Sequence, residues 1–155
     1  MKNGTWTLAD AKSAAARIQA SRGESPAKQR EPLAFLAVTL PRLLPGLNGS
    51  DGLIRQHYRK AAAEKDKLLA WAKSQRFGTF GDARVSVVCT RHYCGNPMDF
   101  DNAAASFKHL MDVIVRAGVI QDDGPKTIEA MTFRQVRCKS KKEQKMTVEI
   151  SIFSA

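Results

Sequence analysis

The sequence is short of most features that give a chain a quick functional label. No apolar run approaches the roughly 20 residues that span a bilayer, and the opening MKNGTWTLADAKSAAARIQ lacks the continuous apolar core of a secretory signal. Both absences lead us to expect a cytoplasmic protein. Only three cysteines occur, Cys89, Cys94 and Cys138, an odd count that fits reduced thiols better than a disulfide framework. The cluster CTRHYC invites a zinc reading, but a fourth ligand is missing, and on a strand Cys89 and His92 face opposite ways. No glycine-rich loop of the Walker type is present, so nucleotide hydrolysis is not indicated. Acidic residues are also scarce, 15 against 25 Lys and Arg, which leaves a formal charge of +10.

That scarcity is uneven. Residues 99–126 hold five Asp and three Lys or Arg and are net negative, whereas every other stretch is basic. A basic body favours a polyanionic partner through long-range attraction and counterion release. Surface charge can also serve solubility alone, so the acidic island is the feature that asks for an explanation.

With 155 residues and 43% hydrophobic content, the chain can build one core but hardly two. TLADAKSAAARIQAS predicts a helix with Thr7 as N-cap, and SRGESPAKQREP reads as a polar linker. Residues 1–32 are therefore expected to form an arm, and 33–155 the domain. LAFLAVTL predicts a buried strand, followed by the Pro/Gly/Asn loop PRLLPGLNGSDG. LIRQHYRKAAAEKDKLLAWAKSQ predicts a basic helix with Leu53, Ile54, Tyr58, Leu68, Leu69 and Trp71 on its apolar side. ARVSVVCT is a second strand. NAAASFKHLMDVIVRAG predicts one helix burying Phe107, Leu110, Met111, Ile114 and Val115 and stopping at Gly118. TIEAMTFRQVRC and KMTVEISIF are two further strands joined by the basic turn KSKKEQ. The order α, β, α, β, α, β, β predicts an α/β or α+β domain, helices flanking a small mixed sheet.

Within the island, Asp99 and Asp101 stand two apart just before the second long helix. In an extended segment both carboxylates point to the same side. Asp122 and Asp123 follow that helix after the short apolar VIQ. Should VIQ pair beside the segment leading into Asp99, the two acidic pairs meet. Clustered carboxylates repel unless a cation neutralises them, and hard oxygens without His or Cys suit Mg²⁺ or Mn²⁺. On a basic protein that points to metal-assisted phosphodiester chemistry. By spacing alone, capping by Asp99 or Asp101 and an ordinary turn at QDDGPK are the more economical account of the same residues.

The whole pattern MDFDNAAASFKHLMDVIVRAGVIQDDGPKTIE resembles the RusA-type Holliday junction resolvases and their phage-borne relatives. Their signature is D-x-D-N, a helix bearing a Lys and an Asp, a Gly turn and a D-D pair. The matching residues are Asp99, Asp101, Asn102, Lys108, Asp112, Gly118, Asp122 and Asp123, and the resemblance extends from Leu33 to Phe153. It implies a RusA-like fold and a homodimer that binds four-way DNA junctions and cuts two strands symmetrically with Mg²⁺. Asp99, Asp101 and Asp123 are then catalytic metal ligands, Asp122 a further one, and Lys108 a catalytic cation facing the phosphate. One departure stands out. The family's Lys falls four residues past the second Asp, where this chain has Ala105; on a continuous helix Lys108 lies about 60° round and roughly 4.5 Å further along. Arg55, Arg59 and Lys60 are expected to contact the DNA backbone. A non-catalytic DNA-binding module and a basic ribonucleoprotein component are the competing readings.

Overall fold

Alternation of apolar and polar residues sets the sheet. In the computed structural model, which describes residues 32–48, 52 and 58–153, four strands form: β1 (Ala34–Leu40), β2 (Val85–Tyr93), β3 (Ile128–Arg137) and β4 (Lys145–Ile152). Their order in space is β1-β4-β2-β3, with β4 antiparallel to both neighbours and β2 parallel to β3. One face carries Val38, Val87, Cys89, Val148 and Ile150, all buried, because every second residue of each strand turns the same way. These residues belong to one compact unit, Pro32–Ala155, an α+β domain with a mixed sheet. The arm expected in residues 1–32, with its helix from Thr7, lies outside the described residues except for Pro32.

Helix α1 (Tyr58–Ser74) buries only Leu68 and Ala72, with Leu69 and Trp71 partly covered. Tyr58 departs from expectation: it is 68% exposed, and its hydroxyl accepts a hydrogen bond from Arg59 Nε. Leu53 and Ile54 lie outside the described residues. The 17-residue helix expected from Asn102 to Gly118 is two segments, α2 (Phe100–Ala105) and α3 (Lys108–Arg116). The cause sits at the join. Ser106, only 1% exposed, donates from Oγ to Ala103 O at 2.6 Å, and such local back-bonding competes with the helical ladder and bends it. Phe107 drops into the core beside Phe133, and Leu110, Met111 and Ile114 follow it on the expected face. Gly118 stops α3 as expected. Its φ of 76° lets its N–H reach Val115 O and the Val119 N–H reach Ile114 O, the paired closure of a Schellman end. No helix among the described residues is long and apolar enough to cross a membrane.

Candidate functional site

The crossover between β2 and β3 carries the acidic island, and two side-chain devices fix where it starts. Gln135, on the edge strand β3, accepts from Met98 N at 3.0 Å and donates to Met98 O at 2.7 Å, so its amide stands in for a neighbouring strand. Asp99 therefore begins beside β3. It occupies the N-cap of α2 without making a side-chain capping bond. Asp101 lies in the first helical turn, so the extended-segment geometry expected for the pair does not hold; the helix starts at Phe100, two residues before the expected Asn102.

The second device is Asn102. Its Oδ1 accepts from Leu47 N at 2.7 Å and from Asn48 N at 3.1 Å, bolting the loop after β1 to α2. Gly46 lies so close that a Cβ there would stand 2.6 Å from this Oδ1 and 2.8 Å from Asn102 O. Buried Arg91 reaches the same loop, donating to Leu44 O at 2.9 Å. Sequence reading gave Arg91, Gln135 and Gly46 no role; the only signal was a Pro/Gly-rich loop whose backbone groups needed partners. Asn102→Ala should leave two backbone donors without their acceptor and destabilise the domain by about 1–3 kcal/mol. Urea unfolding followed by circular dichroism measures this, and an unchanged midpoint removes the bolt.

The expected pairing of VIQ is not what delivers Asp122 and Asp123. Val119 and Ile120 are buried, and Val119 O accepts from Phe80 N at 2.8 Å, in the loop after α1. Held there by its apolar side chains, the segment forms no strand beside Met98. The turn that follows sets Asp122 against Gly124, where a Cβ would stand 2.8 Å from Asp122 Oδ2. Asp123 faces a cavity of about 240 Å³ that it shares with Lys108. Ala104 and Ala105 of α2, Phe107 at the join, Met111 of α3 and Met131 and Phe133 of β3 line the rest. Asp101 precedes Ala104 and Ala105 by one helical turn. The small side chains of α2 thus leave room beside Lys108 and Asp123.

All four candidate carboxylates are exposed, and none has an ion pair or side-chain hydrogen bond among the described residues. Their oxygens suit Mg²⁺ or Mn²⁺ in kind. Among the described residues, no group of three or more His, Cys, Asp or Glu is placed to share an ion. The structure therefore brings Asp123 and Lys108 into one cavity and leaves Asp99 and Asp101 outside its lining, without converging the set.

Asp112, the other acid of the motif, is already engaged. It pairs with Lys65 of α1 at 2.5 Å and more loosely with Lys108, whose Nζ is 3.7 Å from Oδ1. Burial pushes its carboxyl up, but the Lys65 hydrogen bond and the charges of Lys65, Lys108 and His109 outweigh that and hold it below the ordinary value. His109, 8% exposed, is lowered by burial first and by Lys65 next, against the pull of Asp112 and Glu64. Both shifts act in one direction. An unfolded chain takes up protons at these groups before the folded one does, so stability is full above the ordinary histidine value and falls below it. A second loss follows as pH drops below the ordinary aspartate value. The Asp112→Asn variant should lose the lower step only, which thermal unfolding across pH 3 to 8 reads directly.

Arg59 and Lys60 are exposed at the start of α1, and Arg55 lies outside the described residues. Cys89 and His92 occupy opposite faces of β2. Burial pushes the Cys89 thiol up to about 12, which makes it an inert core residue. No protein-family model matches the chain, and no curated protein matches it.

Proposed function

We propose that this protein is a Mg²⁺-dependent, structure-selective endodeoxyribonuclease that nicks four-way junctions in symmetric pairs. The observation that carries this reading is the shared cavity of Lys108 and Asp123 in a chain of charge +10, with Asp101 one helical turn before Ala104 and Ala105 of its lining. Asp99, Asp101 and Asp123 would hold the ion, with Asp122 as a further ligand. A bound ion supplies an activated water and offsets charge on the transferring phosphate. Lys108 adds a cation beside the cavity, and the carboxylates, with no side-chain partner among the described residues, are open to ligation. Asn102 and Gln135 hold α2 in place while the substrate is positioned. A twofold junction is matched by a homodimer, and exposed Arg59 and Lys60, with Arg55, would grip the backbone without reading sequence. Such work belongs in the cytoplasm. Incubating a labelled four-way junction with the protein, with and without Mg²⁺, tests the proposal: paired nicks that require the ion are expected. Tight binding without nicks would leave a non-catalytic DNA-binding module.

A further inference from the structure

The connection between β3 and β4 is the most cationic part of the described chain. Between Arg134 and Lys145 it carries six basic residues, Arg134, Arg137, Lys139, Lys141, Lys142 and Lys145, and one acid, Glu143. All six are exposed, and none forms an ion pair among the described residues. The acid is used internally. Glu143 accepts from Lys139 N at 3.2 Å and from Ser140 Oγ at 3.0 Å, which shapes the turn, while Cys138 N donates to Tyr93 O at 2.8 Å and ties it to β2. Lys139, Lys141 and Lys142 are thus presented on a fixed loop, flanked by Arg134 and Arg137 of β3 and Lys145 of β4.

Beneath the turn is a cavity of about 400 Å³ whose lining includes Thr39, His92, Lys142, Gln144 and Lys145. His92 and Lys145 face each other across the β2–β4 ladder. Strand alternation places both on the sheet face turned away from the core, and so away from Asp101 and Asp123. Pro41, Cys138 and Glu143 complete the lining, and with the Glu143 carboxylate engaged by Lys139 N and Ser140 Oγ, a hydroxyl, an amide, an imidazole and two ammonium groups remain to face an anion. Burial first, then the charge of Lys145, hold His92 below its ordinary value, with Glu149 pulling the other way. Arg137 carries the positive strip round the edge of β3. It shares a strand face with Gln135, two residues and roughly 7 Å away, and Gln135 holds the segment entering Asp99.

We infer that the β3–β4 turn and the cavity beneath it form a second phosphate-binding surface, one that tracks a DNA backbone away from the acidic residues. The inference rests on the reading of this protein as one that acts on DNA. A single small anion would use the cavity alone. Six cations strung along twelve residues and round a sheet edge suit a repeating polyanion instead.

The test replaces Lys142 and Lys145 together by Gln, which removes the charges, keeps a polar side chain only one atom shorter and touches none of the residues assigned to catalysis. Binding of a labelled four-way junction is followed by fluorescence anisotropy in metal-free buffer over a salt series. The expected result is affinity lowered several-fold, with a salt slope shallower by about 1.8, the value for two lost phosphate contacts. Nicking of a saturating junction in Mg²⁺ should stay within about twofold of the parent. A slope equal to the parent's overturns the inference. So does thermal stabilisation of the parent by inorganic phosphate, lost in the variant, together with an unchanged slope, which would mark a small-anion site. Preference for duplex RNA over the junction also overturns it. The nuclease reading fails separately: a shallower slope in a protein that never nicks sinks that reading alone, and undiminished nicking with an unchanged slope sinks this one alone.

Discussion

Replacing Asp101 by Asn is expected to lower junction nicking by on the order of 10³ while binding is retained or tightened, because several kcal/mol of charge stabilisation by a bound ion correspond to about that factor. The substitution removes one negative charge and almost no volume. Asp101 is exposed in the first turn of α2, and its side chain has no hydrogen bond or ion pair among the described residues, so little else depends on its charge. Its favourable interaction with the helix terminus is worth about 0.3–1 kcal/mol, which fixes the small stability change that should accompany the loss of nicking. Removing a carboxylate also eases the approach of a phosphate, hence the tighter binding. Single-turnover nicking and anisotropy on one junction measure both quantities. A parental nicking rate would return Asp101 to a purely helical role.

Lys108→Ala should slow nicking of a saturating junction by ~10², about 3 kcal/mol, the scale of one preorganised electrostatic contact. Lys108 opens α3, is 65% exposed and lines the cavity that also takes in Asp123. Its 3.7 Å contact with Asp112 is a helix-surface pair worth a few tenths of a kcal/mol, so folding should barely register the change. Ala105 lines the same cavity from α2. Adding Ala105→Lys to the Lys108→Ala variant should therefore restore part of the rate. A rate within about twofold of the parent for Lys108→Ala alone would make the residue a solvated helix side chain.

Periodicity gave the elements of this fold, and long-range hydrogen bonds gave what periodicity could not. The strands around Val38, Cys89 and Val148 were legible because alternation and burial coincide in them. The helix face from Phe107 to Val115 was legible for the same reason at a different period. The break at Ser106 was not, since it depends on a rotamer choice that sends Oγ to Ala103 O. That break also alters the Lys108 geometry: counting degrees from Asp101 assumed one helix, whereas Lys108 begins another. Likewise, D-x-D announced an extended pair, but α2 begins at Phe100 and takes Asp101 into a helix. Asn102 was visible as part of a pattern, while its partners, 55 and 54 residues upstream, had no local mark.

The position of β4 also bears on how the domain assembles. It is the last strand in the chain yet sits between β1 and β2, hydrogen-bonded to both, with Met146, Val148 and Ile150 fully enclosed. During synthesis β1 emerges early and must wait, without its strand partner, until residues 145–152 clear the ribosome. Closing the sheet then joins strands more than a hundred residues apart, a non-local step of the kind that slows folding. Asp99, Asp101, Lys108, Asp122 and Asp123 have all been synthesised by then. Each of them depends for its setting on a strand that arrives after it and contributes none of its chemistry.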